Sequence, residues 1–378
     1  MDIGGAKMVG FNNIELITDR SAEANFREIS EVKRRWPNHA VIASLMLESR
    51  EEWHDFVGRA QDAGADGLEL NYGCPHGMCE RGMGSAVGQQ PAVLERITGW
   101  VMERATIPVI VKLTPNITDI TVAARAARRA GANAISLINT INSITNVDLD
   151  SFVPEPRVGR LSSHGGYCGP AVKPIALNMV QCCAADADVG LPISGIGGIS
   201  SWRDAAEFIA LGAGTVQVCT AVMHYGFRIV HAMAEGLSEY LDQRGMRSLD
   251  ELRGRATSSV QPWERLDLSF RRVARIDHST CIGCNLCYIA CEDGAHQCID
   301  LVDPDSINAG LGPGRVPFKS VPKVRESDCV GCNLCACVCP VPGCIAMTEV
   351  PSAREAMSWS DYQARLSRGE IAPIPPHH

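Results

Sequence analysis

The sequence predicts an α/β chain: a TIM-type (β/α)8 barrel two units short of complete, followed by a small α+β domain rich in cysteine. Two observations carry the first part. Six short apolar runs alternate with amphipathic stretches, which implies a parallel sheet, and polar residues recur where each run ends. One observation carries the second: eleven of the 17 cysteines lie beyond residue 280.

The apolar runs are His39–Leu47, Asp66–Asn71, Ile107–Leu113, Ala132–Asn139, Leu191–Ile196 and Gly214–Thr220. Helical periodicity fills the intervals, as in Ile120–Ala130 and Trp202–Leu211, and small residues at Ala63–Gly67 and Gly131–Ala134 close helices ahead of the next strand. A doubly wound open sheet is the competing fold. It concentrates its chemistry at one switch point, whereas here Asn71, Lys112, Asn139, Gly197–Gly198 and Cys219–Thr220 all fall at or just past a strand's C-terminal end, the face that holds the site in barrels. A long helical stretch follows from Thr220 to about Gln243, with Gly245 as its cap. Ser248 and Glu251 have the spacing of a capping box. The resulting division is a barrel over 1–254, a linker over 255–275, a cysteine-rich domain over 276–350 and a tail over 351–378, loosest at Pro373–His378.

Composition narrows the function. Hydrophobic content of 46% and charged content of 21% suit a globular protein. A formal charge of -8 without a basic stripe excludes nucleic acid as a partner. No apolar run reaches the length of a membrane span, and Met1–Gly5 has none of the features of a signal peptide. The expected compartment is the cytosol, where clustered cysteines point to metal rather than disulfides.

Cys281, Cys284, Cys287 and Cys291 form one run, and Cys329, Cys332, Cys335 and Cys339, followed by Pro340, form another. Both have the spacing C-x2-C-x2-C-x3-C of bacterial two-cluster ferredoxins. In those, three cysteines of a run hold one [4Fe–4S] cluster and the fourth holds the other. Cys281, Cys284, Cys287 and Cys339 are therefore assigned to the first cluster, and Cys329, Cys332, Cys335 and Cys291 to the second. Gly283 and Gly331 sit where a tight ligand loop needs a small residue. Zinc is the alternative, but it takes four ligands, commonly as two pairs. Cys298, Cys337 and Cys344 lie outside the pattern and read as small buried thiols.

The barrel residues are individually less specific. Asn71-Tyr72-Gly73-Cys74-Pro75 opens a long loop containing Gly77, Gly82, Gly84 and Gly88, of the kind that forms lids. Cys74 there can act as a proton donor; taken alone it reads rather as a buried or inert thiol. Lys112 closes its strand, pointing into the barrel mouth or out to solvent. Asn139-Thr140 offers amide and hydroxyl groups, or a plain turn. Gly195–Gly198 before a helix suits phosphate, as does Cys219-Thr220 before the next. Cys182-Cys183 and His224 read as packing or surface residues.

Taken together, Asn71–Met78, Arg81–Gly84, Lys112–Asn116, Asn139-Thr140, Gly195–Gly198 and the paired cysteine runs resemble the dihydropyrimidine dehydrogenases. The likeness covers nearly the whole chain and is greatest to the flavin and iron–sulfur subunit of the bacterial NAD-dependent enzymes; dihydroorotate dehydrogenases are wider relatives. The resemblance implies that Cys74 is the general acid and that Asn71, Asn139 and Thr140 bind the pyrimidine. It implies that Lys112, Asn139, Gly169, Gly197, Gly198, Cys219 and Thr220 bind FMN. It also implies a hetero-oligomer, with FAD and NAD(H) on a partner subunit. This chain has no dinucleotide fingerprint of its own. The sequence departs from the family in two places. The family's barrel begins with about two further βα units, and Ser49 stands where the family has a substrate-binding asparagine. Two alternatives remain: an FMN ene-reductase acting on another cyclic amide or on dihydroorotate, and a flavin-free electron-transfer module.

Overall fold

The computed structural model describes residues 9–14, 18–75, 82–267, 269–294, 296–309, 317–352 and 355–373. The motif residues His76–Arg81, with Gly77 among them, the N-terminal Met1–Gly5, and all but Pro373 of the loose C-terminal end lie outside these. The chain divides into two compact units, Met1–Val260 and Gln261–His378.

In the first unit six parallel strands lie side by side in chain order: β1 (Ile42–Leu45), β2 (Gly67–Asn71), β3 (Val109–Lys112), β4 (Ala134–Leu137), β5 (Ile193–Ile196) and β6 (Thr215–Gln217). Doubly wound sheets reverse their strand order at a switch point; this sheet does not, and so has the order of a barrel. Among the described residues β1 and β6 do not pair with each other, leaving an open half-barrel. Strand alternation sorts the side chains. Leu68, Leu70, Val109, Val111, Ile135 and Leu137 are fully buried in one apolar cluster with Trp53, Val57, Leu94 and Val101. Each such burial stabilises by about 2 kcal/mol. The alternate residues Glu69, Asn71, Lys112 and Ser136 take the inner face.

The helices between strands are specified locally. Helix α1 (Arg50–Asp62) begins at a complete capping box: the Ser49 hydroxyl accepts the Glu52 N–H at 3.2 Å, and the Glu52 carboxylate accepts the Ser49 N–H at 3.0 Å. Ser49, expected to stand where the family has a substrate-binding asparagine, is engaged as a helix cap. Helix α2 (Ile120–Arg129) buries an alanine face and places Arg128 and Arg129 in its last turn, favourable for the helix dipole. Helix α3 (Lys173–Ala185) buries Cys183, and α4 (Trp202–Ala210) follows β5.

Two expectations fail after β6. The long helix is two, α5 (Thr220–Tyr225) and α6 (Ile229–Gln243), because Gly226 turns left-handed at φ +74° and ends the first. Ser248 makes no side-chain cap; the segment Leu249–Glu251 is a single 3-10 turn, and Glu251 accepts the Arg247 N–H at 3.2 Å instead. An antiparallel sheet of Phe11–Asn13, Gly165–Cys168 and Ile141–Ser143 was not foreseen.

The second unit pairs β7 (Arg272–Ile276) with β10 (Ile345–Glu349), and β8 (Ile299–Val302) with β9 (Val321–Val324), all antiparallel. Strand β7 occupies the end of the stretch expected to be linker. The expected tail carries helix α9 (Trp359–Ser367), capped by Ser358 and Asp361, with Trp359 against Tyr362 and Trp263. Short helices α7 (Leu286–Glu292) and α8 (Leu334–Cys337) follow the two cysteine loops. The buried cluster is small: Val273, Ala274, Ile299, Ile345 and six cysteines.

Candidate functional site

A cavity of about 470 Å³ opens at the C-terminal ends of β3 to β6, within the size range of small-molecule sites. Lys112, Asn139, Thr140, Gly169, Gly197, Gly198, Cys219 and Thr220 all line it. Gly197 and Gly198 have φ of +133° and +75°, and a Cβ at Gly198 would stand 2.7 Å from the Gly169 carbonyl oxygen. Only glycine fits there without moving the main chain. Ser200 and Ser201 also line the cavity, just ahead of α4. The start of this helix is capped from within the chain: the Asp204 carboxylate accepts the Ser200 N–H at 3.0 Å and both serine hydroxyls.

Behind Lys112 lies a polar cluster that joins five strands. Glu69 on β2, 7% exposed, accepts from Lys112 Nζ at 3.2 Å, from Ser136 Oγ at 2.8 Å and from Gln217 Nε2 at 2.9 Å. Gln217 also donates to Ser194 Oγ at 3.2 Å and accepts from Lys112 at 3.3 Å. The ammonium is thereby fixed at the inner wall of the cavity rather than in solvent.

Asn71 and Asn139 meet directly: Asn139 Nδ2 donates to Asn71 Oδ1 at 2.8 Å, and Asn139 Oδ1 accepts the Thr140 N–H at 2.8 Å. The three residues expected to bind substrate thus form one hydrogen-bonded chain. Asn71 itself lines a second cavity of about 710 Å³ beside β1. Cys74 is 7% exposed and is not among the residues lining the first cavity. Its carbonyl accepts the Ser85 N–H at 3.0 Å, which folds the far end of the loop back over it.

In the second unit, Cys281, Cys284, Cys287 and Cys339 line one cavity together with Cys344. Cys329, Cys332, Cys335 and Cys291 line another, of about 160 Å³, together with Cys298. The two loops repeat one backbone pattern. Gly283 and Gly331 have φ of +71° and +75°, and Asn285 and Asn333 have φ of +57° and +67°. Main-chain N–H groups point at the sulfurs: Gly283 at Cys281, 3.4 Å, and Ala274 at Cys329, 3.4 Å. Such donors favour thiolate. Burial pushes the Cys287 and Cys335 thiols up to about 11, so binding metal there displaces protons. Among the described residues no three His, Cys, Asp or Glu converge on a single-ion position. Cysteines spread around a cavity match the corners of a cluster.

Residues 7–241 match the family model described as dihydroorotate dehydrogenase. The chain belongs to the dihydroorotate dehydrogenase family. Residues 274–347 match a 4Fe-4S dicluster domain. The chain is 44% identical over 293 residues to the NAD-dependent dihydropyrimidine dehydrogenase subunit PreA of Escherichia coli (strain K12), covering 77% of this chain and 71% of that one. It is 42% identical over 258 residues to the chloroplastic dihydropyrimidine dehydrogenase (NADP(+)) of Arabidopsis thaliana, covering 66% and 61%. It is 39% identical over 234 residues to the catalytic subunit of dihydroorotate dehydrogenase B (NAD(+)) of Pyrococcus abyssi, covering 62% and 74%.

For a dihydroorotate dehydrogenase family member, sequence reasoning missed several walls of the cavity. Phe11, Asn13, Tyr167 and Cys168 come from the antiparallel sheet, and His224, expected at the surface or in packing, lines the cavity together with Tyr225. Gln217 ends β6 on the inner face and could have been found from strand alternation. Among the described residues no helix is long and apolar enough to cross a membrane.

Proposed function

We propose that this chain is the flavin and iron–sulfur subunit of a cytoplasmic dihydropyrimidine dehydrogenase. It would reduce the 5,6-double bond of uracil or thymine, with a partner subunit that holds FAD and NAD(H). The observation that carries the reading is the cavity at the strand ends, which gathers a lysine, an Asn-Thr pair and a glycine cradle in one place. The relatives named as dihydropyrimidine dehydrogenases support it.

The residues divide the task. Gly197, Gly198, Cys219 and Thr220 would hold the FMN phosphate, with Gly169 closing over it, and Lys112 would face the flavin ring. Cys281, Cys284, Cys287 and Cys339 would hold one [4Fe–4S] cluster, and Cys329, Cys332, Cys335 and Cys291 the other. When bound, the clusters supply single electrons and FMN a hydride. The chain does the rest. Asn71, Asn139 and Thr140 present amide and hydroxyl groups to the alternating N–H and C=O edges of a pyrimidine. The Cys74 thiol gives its proton to C5 of the ring.

The test is the FMN and iron content of the anaerobically purified chain, followed by uracil reduction with the partner subunit. One FMN with about eight irons and turnover support the reading. Iron without flavin would leave an electron-transfer module, and turnover of dihydroorotate alone would move the substrate to the wider family. Cys74→Ala should abolish uracil reduction while leaving the cluster spectra intact. Undiminished turnover would remove Cys74 from the mechanism.

A further inference from the structure

Two thiols fall outside the eight with ligand spacing yet lie on the same cavities. Cys298, directly before β8, and Cys344, directly before β10, are 4% and 2% exposed. The sequence suggests nothing for them beyond packing, but the surroundings of Cys298 are more specific than that. Its Sγ lies 3.6 Å from Cys291 Sγ, and its main-chain N–H donates to the same sulfur at 3.3 Å. Cys329 is its other sulfur partner. Cys344 also stands beside a ligand-spaced sulfur, Cys339, but its thiol reaches the Asp277 carbonyl oxygen at 3.5 Å, an acceptor away from the cluster ligands.

We propose that Cys298 is a hydrogen-bond donor to the Cys291 sulfur and raises the reduction potential of the cluster held with Cys329, Cys332 and Cys335. This rests on the reading of Cys291 as a ligand of that cluster. A cysteine bound to iron is a thiolate and has no proton to give. Of the two sulfurs, only Cys298 can then donate. Reduction adds one electron and increases the negative charge shared by iron and its sulfurs. A donor aimed at one of those sulfurs stabilises the reduced state more than the oxidised one. No bond is made or broken, and Cys298 keeps its proton throughout. Cys298 is a positioning residue in this scheme, acting on the cluster through Cys291.

The test is a dithionite redox titration of the anaerobically purified full chain, followed by electron paramagnetic resonance, with iron counted in every sample. Cys298→Ala should keep about eight irons and move one cluster to a more negative potential while the other stays in place. Cys298→Ser, whose hydroxyl still donates, should return that cluster toward its original potential. Cys344→Ala should leave it unmoved. Two unmoved potentials in Cys298→Ala, or a serine variant indistinguishable from alanine, would reduce Cys298 to packing. Loss of half the iron in Cys298→Ala would make it a ligand and overturn the donor role. Absence of iron from the unmodified chain would overturn the cluster reading itself.

Discussion

Replacing Glu69 should cost the barrel more than replacing the lysine it holds. Glu69 accepts three donors at 2.8 to 3.2 Å. Glu69→Ala removes the acceptor that all three share, leaving Gln217 its bond to Ser194. The Lys112 ammonium, on a side chain 15% exposed, keeps only the Gln217 carbonyl oxygen, and the fully buried Ser136 hydroxyl loses its acceptor. Removing one member of a buried pair costs about 3–5 kcal/mol, so we expect about 4 kcal/mol. Lys112→Met leaves the Glu69 carboxylate with Ser136 and Gln217 still donating, and its cost should be about 2 kcal/mol. In the double variant neither charge is stranded, and the total should fall about 2 kcal/mol short of the sum. The assay is urea unfolding of the full chain under anaerobic conditions, followed by far-ultraviolet circular dichroism. Additivity within about 0.5 kcal/mol, or a costlier Lys112→Met, would refute the idea that the carboxylate is the hub.

Two further substitutions probe the cavity and the shell around it. Gly198 and Gly226 both have positive φ, but a Cβ at Gly198 meets main chain at 2.7 Å whereas Gly226 has nothing within 4 Å. Gly226→Ala should therefore cost only the backbone strain of about 1–3 kcal/mol, and Gly198→Ala more than that, together with weaker FMN retention on gel filtration; equal costs would place Gly198 in open space. Arg125 holds the Asp186 carboxyl below the usual carboxylate range, with Nε at 3.0 Å. The pair stabilises the fold above the unfolded carboxylate value near 4, and that contribution is lost as pH falls through the depressed folded value. The gap in thermal midpoint between the native chain and Asp186→Asn should thus be full at neutral pH and vanish toward pH ~2. A gap constant with pH would show that the charge is not responsible.

The strands were legible because each is an apolar run. The predicted runs overshoot the hydrogen-bonded strands by up to three residues, because flanking residues such as Leu113 and Ile138 are buried as deeply as the strand itself. Most of the cavity was legible through one rule of parallel sheets, that side chains at the C-terminal ends converge. The hub was not. Glu69, Ser136, Ser194 and Gln217 are single polar residues on four strands, up to 148 positions apart, and only the sheet's register brings them to one face. The pairing of Phe11 with Cys168 is similarly remote and has no local signature. Helix α9 was readable in hindsight, since Ser358 and Asp361 have capping-box spacing ahead of an apolar pair. Cys298 was hidden for a different reason: spacing identifies residues of one loop, not a thiol that meets the loop from the next strand.

The exchange of Cys291 and Cys339 between the two cysteine cavities has a consequence for how the second unit stays folded. Each run ends by lining the other run's cavity, so with the proposed ligand sets each loaded cluster would cross-link segments roughly forty to sixty residues apart and remove loop entropy from the unfolded chain. Among the described residues, the buried cluster of this unit holds four small or branched side chains apart from cysteine, with Val321 and Tyr362 buried outside it, a small apolar core for a domain of this size. Loss of either cluster would free one cysteine on the loop that holds its neighbour and leave that loop less restrained. On this reading the two clusters should be lost cooperatively, and iron and sulfide would do for this unit what leucine and valine do for the barrel.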